Sequence, residues 1–323
     1  EGHKVDDKSE PLENAVFGLF TADCVKFSRD TAIMTFTSDE NGYFVFDEIP
    51  YGEYIIHEIE APTGYILSNK SYPVSISEDG DVIEITAENK PITVKISKRD
   101  IYGNELKGAK MQIIDSEDNV VDEWVSDGTN HVVTELPAGE YTLKEIAAPD
   151  GYVIANDIRF TVDVYGNVTV ENVEATVTSE NGNPLIVMVD DTTKVRISKQ
   201  DVTTGKELPG TTLQIIDEDG NVVEEWVYTD EAHFIEGKLI AGKEYTLRET
   251  IAPDGYEIAN EIKFTVNEDG SVTEVVMYDE LTPKTTTPYT GDNHNDFAAF
   301  AMLGAASVIL AALIITKKGK KHE

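Results

Sequence analysis

The sequence is poor in cysteine: among 323 residues only Cys24 occurs. A single thiol forbids an intramolecular disulfide and a cysteine-built zinc site. Basic residues are scarce too, 26 Lys+Arg against 61 Asp+Glu, for a net charge of −35. Nucleic-acid phosphates need Lys and Arg partners, so this balance argues against nucleic acid as a partner. It argues equally against adhesion to anionic lipid through a basic surface. The six histidines are scattered, with no HExxH motif and no tight cluster. No metal site and no cofactor are expected. Long apolar runs are missing before residue 297, and no amphipathic helix of useful length precedes it. What the chain does have is 40% apolar residues, enough for packed cores.

The C-terminal region departs from this composition. Residues 297–316 read FAAFAMLGAASVILAALIIT, without a charge. That is about the 20 residues a helix needs to span the hydrocarbon core. The basic tail KKGKKHE, 317–323, follows directly and places the tail in the cytoplasm and the rest outside. Residues 282–296 form a Thr/Pro-rich linker. An exported protein needs an export signal, and the chain begins Glu1-Gly2-His3-Lys4 without one. A longer precursor, with domains upstream, is therefore expected.

Self-comparison reveals repeats. EIEAPTGY (58–65), EIAAPDGY (145–152) and ETIAPDGY (249–256) share one pattern. VKISKRD (94–100) matches VRISKQD (195–201), and IANDIRFTV (154–162) matches IANEIKFTV (258–266). The segments alternate apolar and polar residues and break at turn pairs such as Asn41-Gly42 and Asp219-Gly220. Three tandem β-sandwiches are predicted, over 1–91, 92–192 and 193–281. Residues 172–184, an insertion relative to the third unit, read as a loose loop. The acidic stretches 115–119 and 217–221 read as hairpin turns, and Trp124 and Trp226 as packing residues.

Strand parity exposes an oddity. Val94, Ile96 and Lys98 share the inward face, with Lys95 and Ser97 pointing to water. Val195, Ile197 and Lys199 repeat this, with Arg196 and Ser198 outward. Glu58, Glu145 and Glu249 also fall on apolar faces, after Tyr-x-Ile or Tyr-x-Leu. Asp190 and Asp279 end the second and third units, and Asn89 the first. An inward Lys, Glu and Asp or Asn can be a buried ion-pair network, a weak source of stability. It can equally be covalent chemistry. Desolvation favours a neutral, nucleophilic amine and a protonated carboxylic acid. The acid polarises the Asp or Asn carbonyl, the amine attacks, and water or ammonia leaves. These residues alone leave both readings open.

A resemblance favours the second. Lys in the first strand, Glu in Y-x-L-x-E-x-x-A-P-x-G-Y and Asp or Asn in the last strand resemble the B-type repeat domains of collagen-binding adhesins and Gram-positive pilins. The second unit is similar to the domain of the streptococcal fibronectin-binding adhesin that gave the SpyTag and SpyCatcher pair. The resemblance implies immunoglobulin-like or prealbumin-like sandwiches with spontaneous isopeptide bonds. It implies Lys98–Asp190 with Glu145 as catalyst and Lys199–Asp279 with Glu249. In the first unit it implies Lys4–Asn89 with Glu58, Lys8 competing with Lys4. In the same way Thr287-Pro288-Tyr289-Thr290-Gly291, the apolar helix and the basic tail resemble a cell-wall sorting signal, with Thr287 in place of the usual Leu. That implies sortase cleavage between Thr290 and Gly291 and transfer to a peptidoglycan precursor.

The expectation is a wall-proximal stalk of a sortase-anchored surface adhesin, covalently attached to the cell wall after passing through the plasma membrane. It is no enzyme toward external substrates. A host extracellular-matrix protein would be met through the upstream domains. The alternative is a basal or minor pilin, because YTLRETIAPDGY resembles the glutamate box of pilins.

Overall fold

The computed structural model describes residues 1–171 and 176–283. The proposed membrane helix, basic tail and sorting motif lie outside these residues. The described residues form strands and turns, with no helix among them.

The first sandwich contains β1 (Gly2–Asp6), β2 (Val16–Thr21), β3 (Met34–Thr37), β4 (Tyr43–Phe44), β5 (Gly52–Glu60), β6 (Ser71–Ile76) and β7 (Ile85–Asn89). Its sheets run β4-β1-β7 and β3-β2-β5-β6. The second contains β8 (Thr93–Asp100), β9 (Lys107–Asp115), β10 (Val120–Asp127), β11 (His131–Thr134), β12 (Gly139–Ala147), β13 (Ile158–Val162), β14 (Val168–Val170), β15 (Thr176–Glu180) and β16 (Asn183–Asp190). Its sheets run β10-β9-β12-β13-β14 and β11-β8-β16-β15. The third contains β17 (Lys194–Asp201), β18 (Thr212–Ile216), β19 (Val222–Val227), β20 (His233–Glu236), β21 (Glu244–Ile251), β22 (Ile262–Thr265) and β23 (Val272–Asp279). Its sheets run β20-β17-β23 and β19-β18-β21-β22.

Each sandwich encloses its own apolar cluster. Phe17, Phe44 and Ile56 line the first, Ile96, Met111, Leu143 and Ile186 the second, and Ile197, Leu213, Leu247 and Met277 the third. Trp124 and Trp226 pack at the margins of the second and third cores. The first two sandwiches belong to one compact unit. Within it Ile66 of the first packs against the second core, and Leu67 N–H donates to Val164 O at 2.8 Å. The third sandwich belongs to a separate unit.

One topological feature recurs. The first and last strands of every sandwich are neighbours and run parallel: β1 with β7, β8 with β16, β17 with β23. Such a pair needs a long crossover, supplied here by the rest of the domain.

Two sequence expectations are corrected. Residues 176–184 are not a loose loop: β15 forms an antiparallel hairpin with β16, turning at Asn181 (φ 54°) and Gly182 (φ 83°). Positive φ at both turn positions suits Asn-Gly and matches the twist of the flanking strands. Ser97 and Ser198 also do not face water. Both are buried, and Ser97 Oγ donates to Glu105 Oε1 at 2.7 Å. The acidic stretches are hairpin turns as expected: Asp115 Oδ1 accepts from the Glu117 and Asn119 amides, and Asp217 Oδ1 from those of Asp219 and Asn221.

Candidate functional site

Parity carries Lys98 into the second core, where it is 3% exposed beside buried Val94 and Ile96. The parallel register pairs Asp100 with Asp190 and Lys98 with Met188. Lys98 and Asp190 thus share a face, two residues apart along the ladder. Glu145 comes from β12 of the facing sheet and is equally buried. Lys98 Nζ donates to Asp190 Oδ1 and lies 3.3 Å from Glu145 Oε1. The other Glu145 oxygen accepts the Ala155 backbone N–H at 2.7 Å. Glu145 Oε1 and Asp190 Oδ2 are buried without a hydrogen-bond donor. Two such oxygens at one site suit a shared proton. Burial pushes the Asp190 carboxyl up to about 7; Lys98 opposes this and Glu145 reinforces it.

The third sandwich repeats the arrangement. Lys199 Nζ donates to Asp279 Oδ1 and lies 3.3 Å from Glu249 Oε2. Ala259 N–H donates to the same Glu249 oxygen at 2.6 Å. Glu249 Oε1 and Asp279 Oδ2 have no donor. Burial raises the Glu249 carboxyl above its ordinary range, against the Ala259 hydrogen bond and Lys199.

The first sandwich buries Lys4 fully and leaves Lys8 exposed. Lys4 Nζ donates to Ala87 O at 3.2 Å and lies 3.9 Å from Glu58 Oε1. Asn89 Nδ2 donates to Glu58 Oε1 at 3.0 Å, and Ser68 N–H to Glu58 Oε2 at 3.0 Å. Glu58 therefore gathers both partners, while Asn89 Oδ1 stays without a donor. Turning the carboxamide over would aim that oxygen at Glu58. Burial lowers the Lys4 amine to about 8 and raises Glu58.

Sequence reasoning missed the amide that holds each glutamate. It belongs to Ser68, Ala155 or Ala259, ten residues after the glutamate. The only available signal was the shared IAN of 154–156 and 258–260, because a backbone donor leaves no side-chain signature. It also missed Asp6, Asp100 and Asp201, which sit in register with Asn89, Asp190 and Asp279. These carboxylates cap the turn after the lysine strand, as Asp100 Oδ1 does for the Tyr102 and Asn104 amides. Cys24 is half-buried just beyond β2, its Sγ donating to Lys26 O at 3.2 Å. Thr290 and Gly291 lie outside the described residues.

The Trypsin-resistant surface T6 protein of Streptococcus pyogenes serotype M6 is 28% identical over 168 residues, 52% of this chain and 27% of that protein. The chain thus matches little more than a quarter of that relative's length. The Bacillus anthracis TIE protein superposes with a TM-score of 0.41 at 26% identity, over 86% of this chain and 50% of its own. BcpA, the major pilin subunit of Bacillus cereus, gives 0.34 at 16% identity, over 87% and 98%. A family model describing the SpaA prealbumin-like fold domain matches residues 1–91, 92–183 and 193–281. With three such matches over most of its length, the chain belongs to the SpaA prealbumin-like fold domain family.

Proposed function

We propose that this chain is the wall-proximal stalk of a sortase-anchored Gram-positive surface protein, stiffened by intramolecular Lys–Asp and Lys–Asn isopeptide bonds. The observation that carries the reading is the buried Lys98–Glu145–Asp190 set, repeated as Lys199–Glu249–Asp279. In each, an amine meets a carboxyl from the parallel neighbour strand under a glutamate from the facing sheet. A buried ion pair gains little stability over apolar packing, so its repetition calls for another role.

The chemistry balances within the domain. The neutral Lys98 amine attacks Cγ of the protonated Asp190 carboxyl. The N–C bond forms, the C–OH bond breaks, and Glu145 relays a proton from the nitrogen to the departing oxygen, releasing water. In the first sandwich the Lys4 amine attacks Asn89 and ammonia leaves. Each glutamate ends as it began, and each domain reacts once, so nothing turns over.

Intact mass tests this. With all three bonds, residues 1–290 should weigh less than calculated by about 17 Da for one ammonia and about 18 Da for each of two waters. The full calculated mass would refute the covalent reading. Followed over time after synthesis, the bonds should separate by pH. The Asp190 carboxyl keeps its proton below about 7, so that bond should form more slowly as pH rises through 7. Lys4 loses its proton above about 8, so the Lys4–Asn89 bond should gain as pH rises toward 8.

Anchoring has its own test. Replacing Thr290 or Gly291 should leave the protein in the membrane fraction, held by residues 297–316. Wall attachment that survives both changes would dismiss the sorting motif. The amine joined to Thr290 in the native product identifies the acceptor: a wall precursor for a stalk or a basal pilin, a lysine of another subunit for a minor pilin within a fibre.

A further inference from the structure

The three reacting strands are not equally supported. Among the described residues β7 and β23 are edge strands, each with a single ladder neighbour. β16 is enclosed, parallel to β8 on one side and antiparallel to β15 on the other. β15 ends at Glu180, whose Oε2 accepts Lys95 Nζ at 2.7 Å and Asn130 Nδ2 at 3.1 Å. Lys95 is on β8, and Asn130 directly precedes β11. One carboxylate from the edge strand therefore reaches across β16 to the far side of the sheet. Glu180 is in register with Asn183 of β16, and Leu185, two residues on, lies between Lys95 and Thr178, in register with both. Its parity points away from the core, yet it is only 6% exposed. In the third sandwich Arg196 and Glu274 occupy the places of Lys95 and Leu185 and form only a half-exposed pair at 3.4 Å, with no strand beyond among the described residues.

We infer that Glu180 is a positioning residue for the Lys98–Asp190 bond: with Lys95 and Asn130 it latches β16 in the register that brings Asp190 to Lys98. This rests on the cross-link reading above. Register matters because a slip of one residue turns Ile186, Met188 and Asp190 outward and brings Val187, Val189 and Asp191 in. The latch acts on the face opposite the reacting groups and touches none of them. It therefore affects how often Asp190 is presented, and leaves the chemistry of the presented pair alone.

The test uses the full chain, made in a cell-free system and sampled into denaturant at intervals. Peptide mass spectrometry follows the Lys98–Asp190 and Lys199–Asp279 links together, the second serving as an internal control without a latch. Glu180→Lys, which sets like charges against each other, should slow the Lys98–Asp190 link about three- to tenfold, as expected when a partly exposed pair turns from attraction to repulsion. The Lys199–Asp279 rate should stay the same. Lys95→Glu combined with Glu180→Lys should restore the rate, which a general loss of folding would not allow. Asn130→Ala should slow it less than Glu180→Lys. An unchanged rate in Glu180→Lys, or a double variant as slow as the single, overturns the inference while the cross-link stands. Absence of the Lys98–Asp190 link from the unsubstituted chain overturns both.

Discussion

A fragment of residues 92–180, mixed with a peptide spanning Pro184–Lys194, is expected to form an adduct that survives boiling in detergent. The peptide carries nearly all of β16, and the fragment keeps both of its ladder partners, β8 and β15. Docking is therefore strand insertion, with main-chain hydrogen bonds on both sides and Ile186 and Met188 filling the core. Asp190 then arrives beside Lys98 and Glu145, and the amide forms. Asp190→Ala in the peptide or Lys98→Ala in the fragment should abolish the adduct. Glu145→Gln should slow it severely yet preserve reversible docking, since it removes the proton relay and almost no volume. Asp190 is fully buried and Asp191 only half so, which is why the first is expected to react. An adduct that tolerates Asp190→Ala but not Asp191→Ala would mean the strand presents its other face.

Glu249→Gln should lower the stability of the third sandwich by about 4–5 kcal/mol if it prevents the bond. Lys199 and Asp279 are 80 positions apart in sequence, and a cross-link over that span restricts the unfolded chain strongly. The glutamine keeps the side-chain volume and leaves Lys199 and Asp279 in place, so the loss falls mainly on the cross-link. For a domain of this size the loss corresponds to a melting temperature lower by roughly 20–30 °C. Calorimetry of the variant and the parent, with mass spectrometry to score the bond, decides it. Equal melting temperatures, with the bond present in the parent and absent from the variant, would dispose of the loop-closure account.

Alternation made much of this site legible. A lysine two places beyond Val and Ile on one strand face must point where they point, and Lys98 and Lys199 do so. The same parity carried Glu145 and Glu249 inward. Backbone partners were not legible: nothing in Ala155 or Ala259 marks an N–H that will hold a glutamate. β15 was hidden for another reason. Thr176–Glu180 is short, polar and half exposed, and it becomes a strand because β16 offers it an edge. Ser97 misled because parity alone decides burial only when nothing covers the outer face, and Glu105 does. In the first sandwich the triad residues were nameable, but the turn of Lys4 toward Ala87 O and of Asn89 Nδ2 toward Glu58 depends on side-chain torsions.

The parallel pairing of first and last strands has a consequence for extensibility. A chain pulled at its two ends loads β8 and β16 in opposite directions along their length, so the ladder bonds between them bear the load together instead of opening one by one. A bond from Lys98 to Asp190 also removes 92 residues of contour from the line of pull. At full extension those residues would add about 300 Å. With the bond in place, none of that length can be drawn out, and the domain transmits a sudden tug at nearly constant length rather than absorbing it by unravelling.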